Sequence, residues 1–80
     1  METTITRPLS EVTEGQTVNI IRIDGGRDLR SRLTTMGLLP KTRIKVVRNG
    51  KSGPFVISVK NSKMALGRGV ADKIVVLWFA

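Results

Sequence analysis

Short segments in which apolar and polar residues alternate make up much of the second half of the chain, and they constrain the fold more than any other feature. Ile44 and Val46 alternate with charged residues, and Phe55, Ile57 and Val59 share one face of a later segment. A repeat of two residues is typical of a half-buried β-strand. Because glycine- and asparagine-containing turns separate these segments, the pattern predicts a small sheet of short strands.

One segment has the repeat of a helix instead. Leu29, Leu33 and Met36 are spaced by four and three residues, which places them on one apolar stripe. Gly37 stands where a left-handed C-terminal cap belongs, and Pro40 prevents the helix from continuing. The sequence therefore predicts a single short helix of about three turns.

The remaining segments complete a barrel-like pattern. Thr17–Ile23 is rich in β-branched residues and predicts the first strand, although its imperfect alternation indicates either a bulge or burial on both faces. Residues 1–8 are predicted to be a flexible leader and residues 9–80 a single domain, in which residues 67–69 form a loop and residues 70–72 a single helical turn. About five strands, with the helix between the first and second, predict an all-β fold, a small SH3-like β-barrel with an OB-like barrel as second candidate. Closure would remove unpaired edges from so small a sheet.

The composition argues against catalysis and against a resident metal or cofactor. The 80 residues include no cysteine and no histidine, which removes thiolate chemistry, the usual proton shuttle and the commonest metal ligands. The carboxylates lie in polar surroundings rather than in an apolar context that would raise a pKa for acid–base work. Met36 and Met64 are expected to fill the core. We therefore expect a binding protein with no cofactor, no dedicated metal site and no enzymatic activity.

The charge balance favours an acidic partner. Fourteen Lys and Arg against six Asp and Glu give a formal net charge of +8. Nucleic acid, an anionic membrane surface and an acidic protein face would each suit such a field, and so would a surface that is merely well solvated. Barrels that bind nucleic acid usually add exposed aromatic side chains for base stacking, and this chain has three aromatic residues, of which Phe55 is expected in the core. A protein partner is therefore preferred, with a basic nucleic-acid-binding barrel as the alternative.

The carboxyl end is unusually apolar. Leu77, Trp78 and Phe79 cannot all be buried in one small barrel by simple alternation. Two interpretations remain open: Trp78 covers the open end of the barrel, or Leu77 and Phe79 form a patch for self-association. No stretch has the length of a membrane span or the apolar core of a signal peptide, so a cytoplasmic protein is expected.

In order and spacing, the chain resembles the FeoA family, small accessory proteins of bacterial and archaeal ferrous-iron uptake. The resemblance extends from Pro8 to Val76 and is strongest in the helix and the turn that follows it. The segments that carry it are Pro8-Leu9-Ser10-Glu11, Gly15-Gln16, Gly25-Gly26, Leu29-Arg30-Ser31-Arg32-Leu33, Met36-Gly37-Leu38-Leu39-Pro40, Thr42-Arg43-Ile44-Lys45-Val46-Val47, Gly53-Pro54, Met64-Ala65-Leu66 and Ala71-Asp72-Lys73-Ile74.

The resemblance implies an SH3-like barrel with an inserted helical segment. It also implies a cytoplasmic role beside FeoB, a membrane transporter with a cytoplasmic GTP-binding domain, whose assembly or activity the chain would modulate by binding. On that basis the expected partner-binding residues lie on the helix and in the loop after the second strand. They are Arg27, Arg30, Arg32, Asn49, Lys51 and Pro54.

Overall fold

The structure, a computed structural model, describes residues 4–50 and 53–79. Within these residues the chain forms six strands and two helices, with a single 3-10 turn at Leu9–Glu11. The strands are β1 (Thr4–Pro8), β2 (Thr17–Ile23), β3 (Arg43–Arg48), β4 (Phe55–Val59), β5 (Ser62–Leu66) and β6 (Ile74–Phe79), and the helices are α1 (Arg27–Thr35) and α2 (Arg68–Lys73).

All six strands belong to one antiparallel sheet with the order β1-β6-β2-β3-β4-β5. The register shifts between Ile20 and Arg22 on β2, and again between Val46 and Arg48 on β3. Such bulges bend a strand and increase its twist, which helps a short sheet to wrap around a core. The predicted irregularity in β2 is therefore confirmed as a bulge, and β1 and β5 are left as the two edges of the sheet.

Strand β1 corrects the prediction of a flexible leader for residues 4–8; residues 1–3 of the predicted leader lie outside the described residues. Thr4–Pro8 pairs with β6 along its whole length, from Thr4 opposite Phe79 to Pro8 opposite Val75. A proline is acceptable on an edge strand because it need not donate to a neighbour. The sheet consequently has six strands rather than about five. Short polar segments such as this one have little strand signal of their own and become strands because β6 offers a free edge.

Helix α1 lies between β2 and β3, as predicted, and ends in a Schellman cap. The Gly37 N–H donates to the Thr34 carbonyl at 3.0 Å, and the Leu38 N–H donates to the Leu33 carbonyl at 2.8 Å. Gly37 has a φ of 88°, a conformation that costs glycine nothing and most other residues appreciably. Leu38 is fully buried just beyond the cap, so the turn also fastens the end of the helix to the core.

Helix α2 contains the helical turn predicted at residues 70–72 but begins earlier, at Arg68, which corrects the loop predicted over residues 67–69. Gly67 is its N-cap, and the Ala71 N–H donates to the Gly67 carbonyl at 3.0 Å. Gly67 and Gly69 give this segment a poor helical signal. It is helical because Ala71 is completely buried in the core cluster, which outweighs the weak local preference.

One apolar cluster fills the barrel. Its buried members are Leu9, Val12, Val18, Ile20, Leu33, Leu38, Ile44, Val46, Phe55, Ile57, Val59, Leu66, Ala71, Ile74 and Val76. Met64 is half-buried and packs against this cluster, whereas Met36 is 42% exposed, so the prediction that both methionines fill the core is wrong for Met36. Met36 is the C-cap of α1, and its side chain is exposed there, whereas Leu38, two residues later, is buried in the core.

Candidate partner-binding surface

The three arginines of α1 are exposed but do not share one face of the helix. At about 100° per residue, Arg27 and Arg30 lie on the same side, whereas Arg32 lies on the side of Leu29 and Met36. In the described part of the chain the ion pairs are Arg7–Glu11 and Arg22–Asp24, neither of which involves α1. The helix therefore presents guanidinium groups that have no carboxylate partner within the described fold.

An apolar groove runs beside Arg32. We call it groove one; it encloses about 150 Å³ between α1 on one side and the end of β5 with the start of α2 on the other. Its lining residues are Leu29, Arg32, Leu33, Met36, Ala65, Leu66, Gly67 and Val70. Because Met36 is half-exposed at its margin, an apolar group could enter groove one from solvent and meet a positive charge at the rim.

Asn49, immediately after β3, makes hydrogen bonds to other parts of the fold. Its Nδ2 donates to the carbonyls of Ser10 and Val12 at 3.1 and 2.7 Å, and its backbone N–H donates to Glu14 Oε1 at 2.7 Å. Its Oδ1 accepts a hydrogen bond from Arg68 Nη1 at 3.0 Å. We call these residues the Asn49 network. Asn49 thus joins the 3-10 turn and α2 to the end of β3, and its side chain contacts the fold rather than pointing away from the molecule.

Arg68 is the member of this network that the sequence did not single out. Its guanidinium carbon lies 5.9 Å from the centre of the Phe55 ring, within reach of a cation–π contact, and its Nη2 atom is buried and has no hydrogen-bond partner among the described residues. The nearby Ser10 hydroxyl donates a hydrogen bond to Asp72 on α2. No local motif marks Arg68, because its partners come from β3 and β4, which are distant in sequence.

The remaining residues expected to bind a partner are only partly placed. Pro54 is exposed immediately before β4, and Lys51 lies outside the described residues. Within residues 4–50 and 53–79, no hydrogen bond or ion pair joins Asn49 or Pro54 to the arginines of α1. The structure therefore brings Arg32 together with groove one, while Asn49 belongs to a separate structural network.

A second groove lies on the outer face of β2 and β6. It encloses about 300 Å³ and is lined by Asn19, Ile20, Ile21, Pro40, Lys41 and Leu77. Leu77 is half-buried there, and Leu39, the residue before Pro40 in the chain, is 43% exposed. The side chains of Trp78 and Phe79 lie outside the described part of the structure, so self-association through Leu77, Trp78 and Phe79 stays a prediction.

The described residues offer neither a metal-binding cluster nor a membrane-spanning helix. No group of three or more His, Cys, Asp or Glu side chains is arranged to hold a metal ion. None of the helices has the length and apolarity needed to cross a membrane.

Comparison with known proteins identifies the family. The model of the FeoA domain matches residues 7–77, nearly the whole chain. This chain belongs to the FeoA family. A Methanocaldococcus jannaschii protein described as a candidate Fe(2+) transport protein A is 44% identical over 69 residues, which cover 86% of this chain and 83% of that protein. The resemblance to the FeoA family found in the sequence is thereby confirmed.

Solved structures agree with this assignment. A crystal structure of an iron uptake regulatory protein (FeoA) superimposes with a TM-score of 0.84 at 36% identity, covering 90% of this chain and 96% of the other. A manganese-dependent transcriptional repressor matches with a TM-score of 0.82 at 22% identity, covering 94% of this chain and 42% of the repressor. The first comparison confirms the small SH3-like barrel, and the second shows that the same fold occurs within a longer protein.

Proposed function

We propose that this FeoA-family chain is a non-enzymatic, cytoplasmic accessory protein of ferrous-iron uptake that binds and modulates a FeoB-type transporter through the transporter's cytoplasmic GTP-binding domain. The observation that carries the proposal is the match of the FeoA domain over residues 7–77. The iron-transport description of the Methanocaldococcus jannaschii relative supports it.

The surface of the molecule is suited to binding a protein. Arg32 lies at the rim of groove one, and Arg27 and Arg30 add positive charge on another exposed side of α1. Apolar grooves bordered by charge are typical of protein interfaces, in which an apolar contact supplies affinity and complementary charge supplies orientation and a faster encounter. An acidic face on the transporter's GTP-binding domain would satisfy both requirements.

The direct test is association with the purified GTP-binding domain of the transporter encoded in the same genome. We expect saturable binding by calorimetry that persists at physiological salt and weakens moderately as salt rises. Following GTP hydrolysis in the same mixtures would show whether binding changes the activity of the transporter domain. Absence of binding at both low and moderate salt would refute the proposal.

The net charge of +8 supports nucleic-acid binding as the second candidate function. Against it, Phe55 is completely buried and therefore cannot stack on bases. If several phosphates were contacted, affinity for RNA or DNA would fall about tenfold or more between low and physiological salt. A mobility-shift assay that shows no complex at low salt would eliminate this alternative.

A further inference from the structure

The outer edge of β5 is a free strand edge in the described structure. β5 has β4 as its neighbour in the sheet, and the two form a hairpin with Val59 opposite Ser62. Lys60 and Asn61, the two turn residues, have φ values of 50° and 68°, as in a type I′ turn. In such a two-residue hairpin the closing pair is hydrogen-bonded, so the backbone groups of Ser62, Met64 and Leu66 face β4.

The alternate residues of β5 face the other way. The N–H and C=O groups of Lys63 and Ala65 therefore point away from β4, and both residues are exposed. No described turn or side-chain hydrogen bond uses these four backbone groups. A row of this kind is a template for an added strand, by the mode in which many domains capture extended peptides.

Groove one lies at the end of this edge. Ala65 and Leu66 of β5 line groove one together with Leu29, Met36 and Val70. Its volume of about 150 Å³ is comparable to a cavity that accommodates a benzene-sized molecule, so it is large enough for one branched aliphatic side chain or one aromatic ring. A strand added to β5 would carry such a side chain directly to the groove.

The positive charges beside the β5 edge and groove one favour an acidic segment over a second copy of the chain. Lys63 on the edge and Arg32 at the rim are exposed, and neither takes part in a described ion pair. A second copy of the chain would bring another net charge of +8 and another Lys63 against them, which opposes self-pairing. An acidic segment would instead be attracted to both positions.

We propose that the β5 edge and groove one together bind an extended acidic segment of a partner protein, which adds a strand to β5 and places one apolar side chain in groove one. The backbone of Lys63 and Ala65 supplies the pairing, groove one supplies the anchor, and Lys63 and Arg32 face the partner's carboxylates. This proposal adds a binding mode to the proposed function. It rests on the proposed function only for the assignment of the acidic segment to the transporter.

The first test uses a short, blocked peptide of alternating valine and glutamate with a central leucine, titrated into the full isotope-labelled chain. We expect saturable NMR shift changes concentrated at Lys63, Ala65, Met36 and Val70, with slower amide hydrogen exchange at Lys63 and Ala65. The same peptide with lysine in place of glutamate is the matched control and should bind at least about tenfold more weakly. Shift changes elsewhere with unchanged exchange on β5, or equal binding of both peptides, would overturn the proposal.

Paired variants separate this surface from general attraction to a basic protein. Ala65→Pro removes an outward N–H without removing a bond to β4, and we expect it to weaken peptide binding about tenfold. Thr6→Pro, two residues before Pro8 on the opposite edge strand, is the control and should change binding less than about twofold. Arg32→Gln is compared with Arg43→Gln on β3; equal losses for the two would contradict the proposal.

The same variants with the transporter's GTP-binding domain distinguish the two proposals. If that domain binds and all four variants bind equally, the proposed β5 surface is wrong while the proposed function stands. If the acidic peptide binds at β5 and the domain does not bind at all, the surface is supported and the proposed function fails.

Discussion

Replacing Asn49 by alanine should destabilise the fold far more than its half-buried position at a strand end would suggest. Asn49→Ala removes two hydrogen bonds to the carbonyls of Ser10 and Val12 and one from the guanidinium of Arg68. Each of the two neutral hydrogen bonds contributes about 1 kcal/mol, and the bond to the charged guanidinium contributes about 1.5 kcal/mol. Because the site is only partly buried, we expect the free energy of unfolding to fall by slightly less than their sum, about 3 kcal/mol. A chain of 80 residues is typically stable by about 4–12 kcal/mol, so this is a large fraction of the total.

Urea denaturation followed by fluorescence of the single tryptophan measures this loss. We expect a lower midpoint with an unchanged slope, because the extent of the surface exposed on unfolding stays the same. Asn19→Ala is the matched control: Asn19 is also half-buried, and its side chain makes no hydrogen bond among the described residues. The control should lose less than about 0.5 kcal/mol.

A double-mutant cycle with Arg68→Gln tests the network itself. Because Asn49 and Arg68 share a hydrogen bond, the two losses should be non-additive by about 1 kcal/mol. A loss below about 1 kcal/mol for Asn49→Ala, or strict additivity in the cycle, would refute the conclusion that the Asn49 network stabilises the fold.

Three further changes test the turns and the core. Gly37→Ala should lower the free energy of unfolding by about 1–2 kcal/mol, measured by heat or urea, because the φ of Gly37 is 88° even though there is space for a Cβ atom. Gly26 also has space for a Cβ atom but an ordinary φ, so Gly26→Ala should cost clearly less. Equal costs for the two variants would contradict the role of the cap. Changing Lys60 and Asn61 to Asn-Gly should raise stability by about 0.5–1 kcal/mol, since this pair adopts positive φ values readily; a lower denaturation midpoint would argue against a type I′ turn. Phe55→Ala should cost about 3–5 kcal/mol, because the ring is completely buried, and a loss below about 1 kcal/mol would show that it is not a central core residue.

Local sequence signals predicted those elements whose structure depends on residues close together in the chain. The stripe of Leu29 and Leu33 and the glycine at position 37 predicted α1 and its cap, because helix periodicity and a positive φ are local properties. The alternation around Ile44 and Ile57 predicted β3 and β4 for the same reason. The arrangement of the expected partner-binding residues was harder to predict. A sequence shows which residues are charged, but it does not show which of them lie close together in the folded protein.

What the sequence by itself determined is the class of the protein: alternating short strands dictate a small barrel, and the absence of cysteine and histidine restricts the chemistry available to it. What only the tertiary structure decided are the contacts between residues that are distant in the chain. Thr4–Pro8 is a strand because β6 leaves an edge free, and residues 68–73 form a helix because Ala71 is buried. Groove one arises in the same way, because long-range packing places α1 beside the end of β5 and the start of α2.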